Sequence, residues 1–306
     1  MKIDHFLIIA IILTSFTMGH SQELSHIPGA FLDIGFGGRA LGMGGAYVAS
    51  ANDVHSTIWN PAGLTKTPAW QSTFSYTRQL GIVPYAFLGS SGRFDHIWAH
   101  GEAVIISGDD LMQEIRLLLA IARNMQDRIK GLRLGAMIDL RQASYGWNQE
   151  ENSGAITGDA YGAALNLGVQ YQYSYNLNFG LKIQDILNTV HWSSSGMGKY
   201  YEATPFSAIL GINFHDLRGF DLEFDFKTGI YQDVPNRILL GMEKEYYHYF
   251  VLRCGTARNL NSSESNVQHA IGLGLQNLLN DHFRLDFAYL FHDIQNYYRV
   301  TAIFRR

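Results

Sequence analysis

The chain has 306 residues, of which 16% are charged and 13% aromatic, and it contains 31 glycines against only 6 prolines. This composition favours strands and turns, and it disfavours helical bundles and most doubly wound folds. The formal charge of −4 offers no basic field for a nucleic-acid partner, and the single cysteine, Cys254, excludes an intramolecular disulfide framework.

The N-terminus resembles an export signal. Lys2 precedes an apolar run at 6–16, and the small residues Gly19 and Ser21 stand before a possible cleavage site at Gln22. Residues 1–21 are therefore predicted to be a signal peptide. After this run no window of about 18 apolar residues recurs, so the mature chain is expected to be either soluble or a β-barrel.

Residues 22–69 form a glycine-rich segment that precedes the first predicted strand. The spelling Gly35, Gly37 and Ala40, with Asp53 downstream, imitates a dinucleotide-binding fingerprint, but a Rossmann unit needs alternating strands and helices that the chain does not offer. Glycine at this density instead permits close backbone packing, as in a segment folded into a crowded lumen.

From Trp70 onward, runs of about ten residues alternate apolar and polar side chains, which is typical of strands with two different faces. About fourteen such runs occur, and an even number suits an up-and-down barrel. They span 70–78, 84–91, 94–107, 111–124, 132–141, 163–173, 177–187, 205–214, 220–227, 237–246, 249–258, 268–276, 282–291 and 296–304. The run 111–124 also has helical spacing, so its assignment as a strand is the weakest.

A soluble β-sandwich or lipocalin-like barrel would also alternate, but it would place its charged residues outside. The low charge and the aromatic residues at strand ends favour a membrane barrel with a polar lumen, which must close because an unpaired edge is costly in hydrocarbon. The connections 174–176 and 215–219 are predicted to be tight turns, and 146–159 and 188–204 to be long polar loops.

The strand registers predict which charged residues face the lumen, and a slip of one residue would reverse each assignment. Pairing of these charges with each other and with the glycine-rich segment is one interpretation, and a path for polar ligands is the other. The predicted lumenal residues are Arg133, Asp139, Arg141, Asp221, Glu223, Asp225, Arg253 and Arg284, with Lys182, Lys227, Asp286 and Arg299 in the same registers.

The glycine-rich segment contains the most specific motif of the chain. The stretch 38–49, with Asn52 and Asp53 and the later stretch 59–64, closely resembles the N-terminus of PorV/PorQ family proteins and more loosely that of FadL-type transporters. The residues that carry the resemblance are Gly38, Arg39, Gly42, Gly44, Gly45, Asn52, Asp53, Asn60, Pro61 and Gly63. The resemblance implies a fourteen-stranded barrel in the outer membrane of a diderm bacterium, with an N-terminal hatch at 22–69 and the barrel at 70–306.

The resemblance favours a PorV-like function and leaves a FadL-like function as the alternative. A PorV-like protein would be an accessory of type IX secretion, with secreted cargo and a sortase-like protein as partners. A FadL-like protein would conduct hydrophobic small molecules such as long-chain fatty acids through the hatch and a lateral opening. Both would contact outer-membrane lipids, and no cofactor or metal is expected because no ligand spacing emerges. A rim hydrolase built on Ser107, Asp109 and His100 is disfavoured because the chain has no Gly-x-Ser-x-Gly elbow.

Overall fold

The computed structural model describes residues 35–79, 83–109, 111–146, 156–202, 206–229, 236–260, 267–291 and 296–306. The predicted signal peptide, 1–21, lies outside these residues. The strands are β1 (Trp70–Gln79), β2 (Val83–Arg93), β3 (Trp98–Gly108), β4 (Met112–Asn124), β5 (Leu132–Tyr145), β6 (Gly158–Gln172), β7 (Leu177–Ser194), β8 (Gly198–Glu202), β9 (Ser207–Phe214), β10 (Asp221–Gly229), β11 (Arg237–Tyr246), β12 (Phe250–Asn259), β13 (Val267–Leu278), β14 (Phe283–Phe291) and β15 (Tyr297–Arg305).

The sheet is a closed antiparallel barrel. Each wall strand pairs with its sequence neighbours, β1 pairs with β15, and β6 pairs with β7, so the ring closes. The wall therefore contains fourteen strands, and β8 is an extra strand that pairs with the end of β7. Closure leaves no free edge in the wall, which is the requirement for a sheet that spans a bilayer. The predicted fourteen-stranded barrel is confirmed, with one strand more than expected.

Strand β4 illustrates the two faces of the wall. Ile115, Leu119 and Ile121 are 46%, 46% and 48% exposed on the outside, whereas Glu114 and Arg116 are only 8% and 7% exposed on the inside. A soluble protein would reverse this pattern, and an apolar exterior with a polar lumen is the pattern of an outer-membrane barrel. The architecture thus confirms the predicted outer-membrane protein. Among the described residues, no helix is long and apolar enough to cross a membrane.

The region 188–204 corrects a prediction. It was expected to be a long polar loop, but β7 continues to Ser194 and turns back through β8. The reason is aromatic packing on the lumenal side, where the ring centroid of Trp192 lies 5.6 Å from that of Tyr145 and 6.1 Å from that of Tyr200. Tyr145 and Trp192 therefore belong to the lumen.

The two ends of the barrel differ. The connections β2–β3, β4–β5, β6–β7, β9–β10, β11–β12 and β13–β14 lie at one end, here the turn side, and they range from three residues (247–249) to seven (125–131). The remaining connections lie at the opposite end, the loop side. The longest of these, 146–157, is largely outside the described residues. Short periplasmic turns and longer extracellular loops are usual in such barrels.

Residues 35–69, here the inner segment, lie inside the barrel and contact all fourteen wall strands. The segment contains helix α1 (Gly38–Gly42), helix α2 (Ser56–Trp59) and a 3₁₀ helix (Pro61–Lys66). The 3₁₀ helix packs against β2 to β6, and α1 packs against β12 to β15. Trp59 lies between them, with its indole N–H donating to the Phe36 carbonyl at 2.6 Å.

Candidate functional site

Arg39 attaches the inner segment to the wall on the turn side. Its Nε and Nη2 donate to the two oxygens of Glu243 on β11 at 2.9 and 2.8 Å, which is the bidentate geometry that the planar guanidinium favours. Its Nη1 donates to Asn52 at 2.6 Å and to the Tyr47 hydroxyl at 3.2 Å, within the inner segment itself. One side chain therefore fixes both the fold of the segment and its position in the barrel.

The contact between Arg39 and Glu243 belongs to a longer chain of ion pairs along the wall. Arg253 Nε lies 2.5 Å from Glu243, and its Nη1 lies 2.7 Å from Asp286 on β14. Arg284 forms a further salt bridge to Asp286 at 2.7 Å. Alternating signs let each buried charge neutralise its neighbours, so the network tolerates burial that an isolated charge would not.

Two carboxylates on β10 bind the backbone of the inner segment. Asp225 accepts from the N–H groups of Tyr47 and Val48 at 2.8 and 3.1 Å, and Glu223 accepts from those of Ala49 and Ser50, the former at 2.6 Å. Both carboxylates are buried. Four consecutive donors that no helix or strand satisfies are thereby paired, as buried backbone requires.

Asn60 connects three parts of the molecule at the start of the 3₁₀ helix. Its amide donates to the carbonyls of Val48 at 2.8 Å and of Val169 on β6 at 3.0 Å, and its oxygen accepts from Ala62 N–H at 3.2 Å as an N-cap. Gln170 reinforces the same junction by donating to the carbonyls of Val48 and Ala51 at 3.1 and 3.0 Å.

Asp53 and His55 form a buried pair in the inner segment, beside β2. Burial alone would raise the pKa of Asp53, but hydrogen bonding and the charge of His55, helped by Arg284 and Arg39, hold that pKa well below its usual range. The His55 ring stacks on Phe87 of β2 with centroids 5.3 Å apart. The pair thus places a polar group against an apolar part of the wall.

Lumenal glycines of the wall make room for the inner segment. A Cβ on Gly255 would lie 2.1 Å from the Met43 carbonyl carbon, and one on Gly135 would lie 2.4 Å from Ala62 N. Such contacts are with backbone, so they cannot be relieved by a rotamer change. Other wall glycines closely approached by the inner segment are Gly101, Gly168, Gly180, Gly211, Gly241 and Gly272. Together they form a glycine belt around the lumen.

Part of the lumenal wall is apolar. Tyr85 and Phe87 of β2, Ile105 of β3 and Leu118 of β4 are buried in one cluster with Phe36. A second cluster of Ala143, Ala160, Val190 and Trp192 lies near the loop-side ends of β5, β6 and β7. These surfaces would suit the apolar part of a small molecule better than a hydrated ion.

A polar network reaches β7 at an irregularity in its pairing with β6. Arg116 and Arg141 both bind Asp139, at 2.6 and 2.8 Å, and Arg141 also binds Asp185 at 2.6 Å. Asp185 has a positive φ of 57°, at the irregularity in the pairing of β6 with β7. Pairing of β7 with β9 ends at Gln184, and pairing with β8 begins at Val190. Residues 185–189 therefore have no described strand partner on that side.

All eight charged residues named from the registers lie on the lumenal side. Arg133 and Asp221 are near the turn-side rim, where Arg133 donates to Gln172 and Asp221 pairs with His215 at 2.9 Å. Asp221 also lines a turn-side cavity of about 290 Å³ together with Glu243. The other six take part in the networks described above.

The motif residues serve internal packing. Gly38 N–H donates to Thr301 of β15 at 2.9 Å, and Gly42 packs on Gly272. Gly44 and Gly45 have positive φ values of 68° and 85°, which glycine adopts without strain. Pro61 lies against Gly135, and Gly63 approaches the Ala51 carbonyl.

Several residues were missed by the sequence analysis. Glu243 shares the lumenal register of Leu239 and Gly241, so its alternation offered a signal that was not used. The glycine belt offered a weaker signal, since glycine inside a strand marks close backbone approach. Asp185 could not have been found because a bulge changes the register on which such predictions depend.

The structure does not bring the hydrolase candidates together. His100 lies near the turn-side end of β3, where it pairs with Glu102 at 2.9 Å, whereas Ser107 lies at the loop-side end of the same strand. The Ser107 hydroxyl donates to Glu114 at 3.1 Å. Within the described ranges, no group of His, Cys, Asp and Glu residues could hold a metal ion.

Comparison with known proteins identifies the fold. No protein-family model and no curated protein sequence matches this chain. Among solved structures, the CymD monoaromatic hydrocarbon channel superposes with a TM-score of 0.64 at 16% identity, covering 90% of this chain and 97% of that one. The toluene transporter TbuX of Ralstonia pickettii superposes with a TM-score of 0.61 at 13% identity, covering 88% of this chain and 97% of that one.

A Pseudomonas aeruginosa FadL homologue gives a TM-score of 0.63 at 10% identity, covering 87% of this chain and 97% of that one. The chain has a FadL-like barrel fold. At these identities the likeness establishes the fold alone. The looser of the two resemblances is thus confirmed as to fold, and the assignment to the PorV/PorQ family is not confirmed.

Proposed function

We propose that this protein is an outer-membrane channel for hydrophobic small molecules, in which the inner segment acts as a hatch. The observation that carries the proposal is the combination of a FadL-like barrel with two apolar lumenal clusters, one packed on the inner segment and one near the loop-side ends of β5, β6 and β7. CymD is described as a monoaromatic hydrocarbon channel and TbuX as a toluene transporter. A non-enzymatic role agrees with both descriptions.

The proposed path begins at the loop-side mouth and passes the cluster around Trp192 and Tyr145 toward Phe36. From there the molecule leaves either by displacement of the hatch or through the wall at residues 185–189. The irregular pairing of β6 with β7 at those residues supports the second exit, and the exposed Leu187 beside it offers an apolar outer surface. A lateral exit would release an apolar molecule directly into lipid.

A reversible tether tests whether the hatch moves. A Cβ on Gly42 would lie 3.5 Å from the Arg253 Cβ, which is within the range of about 3.5–4.5 Å found in disulfides. A double-cysteine variant, with Gly42→Cys and Arg253→Cys, should therefore attach the hatch to β12. It also carries Cys254→Ser to prevent mispairing. We expect oxidation to slow toluene uptake by cells at least tenfold and dithiothreitol to restore it.

The variant with Arg253→Cys and Cys254→Ser but no Cys at position 42 is the matched control, since it loses the same ion pairs without gaining a tether. If the oxidised tethered protein takes up toluene as fast as its reduced form, hatch displacement is not part of the path. Loss of uptake in Leu187→Lys without a change in the tethered series would then favour the exit through the wall.

A second candidate function is supported by the sequence motif. Residues 38–49 and 59–64 resemble the PorV/PorQ family more closely than FadL-type transporters, which favours an accessory role in type IX secretion with cargo proteins and a sortase-like partner. The motif residues described here pack within the barrel, so they support the fold more than a docking role. Purification from outer membranes followed by proteomics and lipid mass spectrometry separates the two, because a stoichiometric secreted protein would favour the accessory role.

A further inference from the structure

Glu223 and Asp225 of β10 are buried acids without a cation to neutralise them. They are two residues apart on the lumenal face of one strand, and they are 2% and 0% exposed. Among the described residues, no lysine or arginine forms a salt bridge with either of them. Asp139 and Asp286, by contrast, are buried beside arginines that bind them. Two adjacent negative charges in such a place would repel each other while deprived of water.

The hydrogen bonds of this pair leave one oxygen over. Asp225 Oδ2 and the two oxygens of Glu223 accept from the four N–H groups of residues 47–50. No described residue donates to Asp225 Oδ1, although that atom is buried. The two carboxyl groups lie within hydrogen-bonding reach of each other. An ionised carboxylate only accepts, so a hydrogen bond between two carboxyl groups requires that one of them carries a proton.

We propose that Glu223 and Asp225 share one proton, and that this proton latches the inner segment to β10 until rising pH removes it. Asp225 Oδ1–H donates to Glu223, which stays ionised and keeps its two N–H donors. When the proton passes to water in the lumen, two anions remain side by side, and they regain hydration only if residues 47–50 withdraw. The inference rests on the proposed channel function only for its consequence, a hatch that opens more readily at alkaline pH.

The charges around the pair decide how firmly the proton is held. Gly211 of β9 and Gly180 of β7 lie level with Asp225 and bring no charge. Lys66 of the 3₁₀ helix acts on Glu223, and it favours the ionised form. The other charged or titratable residues on the inner segment and in the lumenal registers of β7, β10 and β11 around the pair are Arg39, Tyr47, Lys182, Asp221, Lys227 and Glu243. The lysines bring release of the proton toward neutral pH.

The competing explanation is that both acids stay ionised and serve only as acceptors for the four N–H groups. Opening of residues 47–50 would then be independent of any proton on β10, and Asp225→Asn would loosen the segment at every pH by weakening an acceptor. With a shared proton, asparagine takes the place of a neutral acid. Its oxygen still accepts from the inner segment, its amide donates to Glu223, and no proton is left to release.

Hydrogen exchange with mass spectrometry at residues 47–50 tests the proton latch on the full-length protein in detergent, from pH 6 to 9. Dividing each rate by that of an unstructured peptide at the same pH leaves the opening of the segment. All proteins compared carry Lys66→Met, because the titration of that buried lysine has the opposite sign. With both acids intact, we expect opening to rise by up to about tenfold per pH unit, the dependence for loss of one proton.

Two variants should abolish this dependence, and a third should keep it. Asp225→Asn and Glu223→Gln each replace one acid by a neutral amide of the same shape, so their opening should be constant with pH. Asp221→Asn is the matched control, since it lies on the same face of β10 but pairs with His215. Protection of the wall strands reports whether each variant is folded, and Glu223→Gln carries the comparison if Asp225→Asn does not fold.

The outcomes separate the latch from the channel. Opening that does not change with pH when both acids are intact, or the same dependence in the two amide variants, overturns the latch. Toluene uptake by cells at pH 6 and pH 8 tests the consequence, and we expect several-fold faster uptake at pH 8 that Asp225→Asn abolishes. Equal uptake at both pH values overturns the latch as a regulator. No uptake at either pH overturns the proposed function, while the exchange experiment still decides the latch.

Discussion

Arg39 shows how much of the inner segment depends on a single side chain. Arg39→Ala removes the bidentate contact with Glu243, but Arg253 still neutralises that carboxylate, so we expect a loss of about 2–3 kcal/mol, below the full cost of breaking a buried pair. Urea unfolding in detergent micelles, followed by tryptophan fluorescence, gives the value. Arg123→Ala, whose partner Asp127 is exposed, should lose under about 1 kcal/mol of stability. Equal losses in the two variants would contradict the role of Arg39 in attaching the inner segment to the wall.

Gly255 tests the glycine belt. The Cβ of Gly255→Ala would overlap the backbone of Met43 and Gly44, so we expect an overpacking cost of about 1–3 kcal/mol in the same unfolding experiment. Gly196→Ala is the matched control, because its Cβ would meet only side-chain atoms of Ile156, at 3.2 Å. An unchanged stability in Gly255→Ala would mean that the inner segment does not press on β12 in solution.

Lys66 at the end of the 3₁₀ helix is expected to make the stability of the inner segment depend on pH. Burial, followed by the nearby charge of Arg133, lowers the pKa of Lys66 to about 7, against about 10.4 in an unfolded chain. Between these values the unfolded state binds more protons, so stability rises with pH from about 7 to about 10. Below pH 7 the lysine is charged in both states and the desolvation penalty is fully present.

Lys66→Met should remove that rise, which a series of urea unfolding curves from pH 6 to 10 would reveal. Because Lys66 is only half-buried, solvent reduces the effect, and the slope is the quantity to compare. The same slope in wild type and variant would assign the pH dependence to another group.

At the scale of residues, alternation predicted which charges face the lumen, because side chains on a strand alternate strictly. It did not predict which partners they choose. Arg141 and Asp139 are on one strand, but Asp185 reaches them from a bulge on β7, and Arg39 reaches Glu243 from a segment about 200 residues earlier. Such pairings depend on closure of the barrel, which no local sequence pattern can predict.

At the scale of elements, long alternating strands were predictable and the hairpin of β7 and β8 was not. Its residues from Asn188 onward contain Ser, Gly and Lys, which read as a loop, and the packing of Trp192 on Tyr145 and Tyr200 overrides that tendency. The weakly assigned strand 111–124 formed a strand because Ile115, Leu119 and Ile121 share the lipid-facing side of the wall. Tertiary context decided both cases.

The 3₁₀ helix offers an element-scale prediction. Asn60→Ala removes the N-cap and one donor each from the Val48 and Val169 carbonyls, leaving Val48 with Gln170 alone, so we expect residues 47–66 to exchange amide hydrogens faster while the wall strands remain protected. Hydrogen exchange with mass spectrometry measures this directly. Thr65→Ala, which removes one hydrogen bond inside the same helix, should have a smaller effect. Uniformly faster exchange would instead mean that Asn60 supports the whole barrel.

At the scale of the whole molecule, the inner segment contacts every wall strand, and we therefore expect no stable ion conductance in planar bilayers. Deletion of residues 35–66 should give open channels, because the fourteen-stranded wall would then enclose water. Single-channel recording compares the wild type with the deletion variant. The tethered double-cysteine variant in its oxidised form should show no conductance. Ohmic conductance in the wild type would show that the lumen is open beside the inner segment.

The contacts of the inner segment also constrain the order of assembly. The segment emerges from the ribosome before any wall strand, yet its four N–H groups at residues 47–50 find their acceptors on β10. The pairing of β1 with β15 joins the two ends of the wall sequence, and we expect it to form last because it closes the longest loop. A segment that contacts every wall strand would have to thread in through one end of the barrel once that seam had closed. We therefore expect the wall to fold around this segment, and a barrel that closed too early to be a kinetically trapped, empty shell.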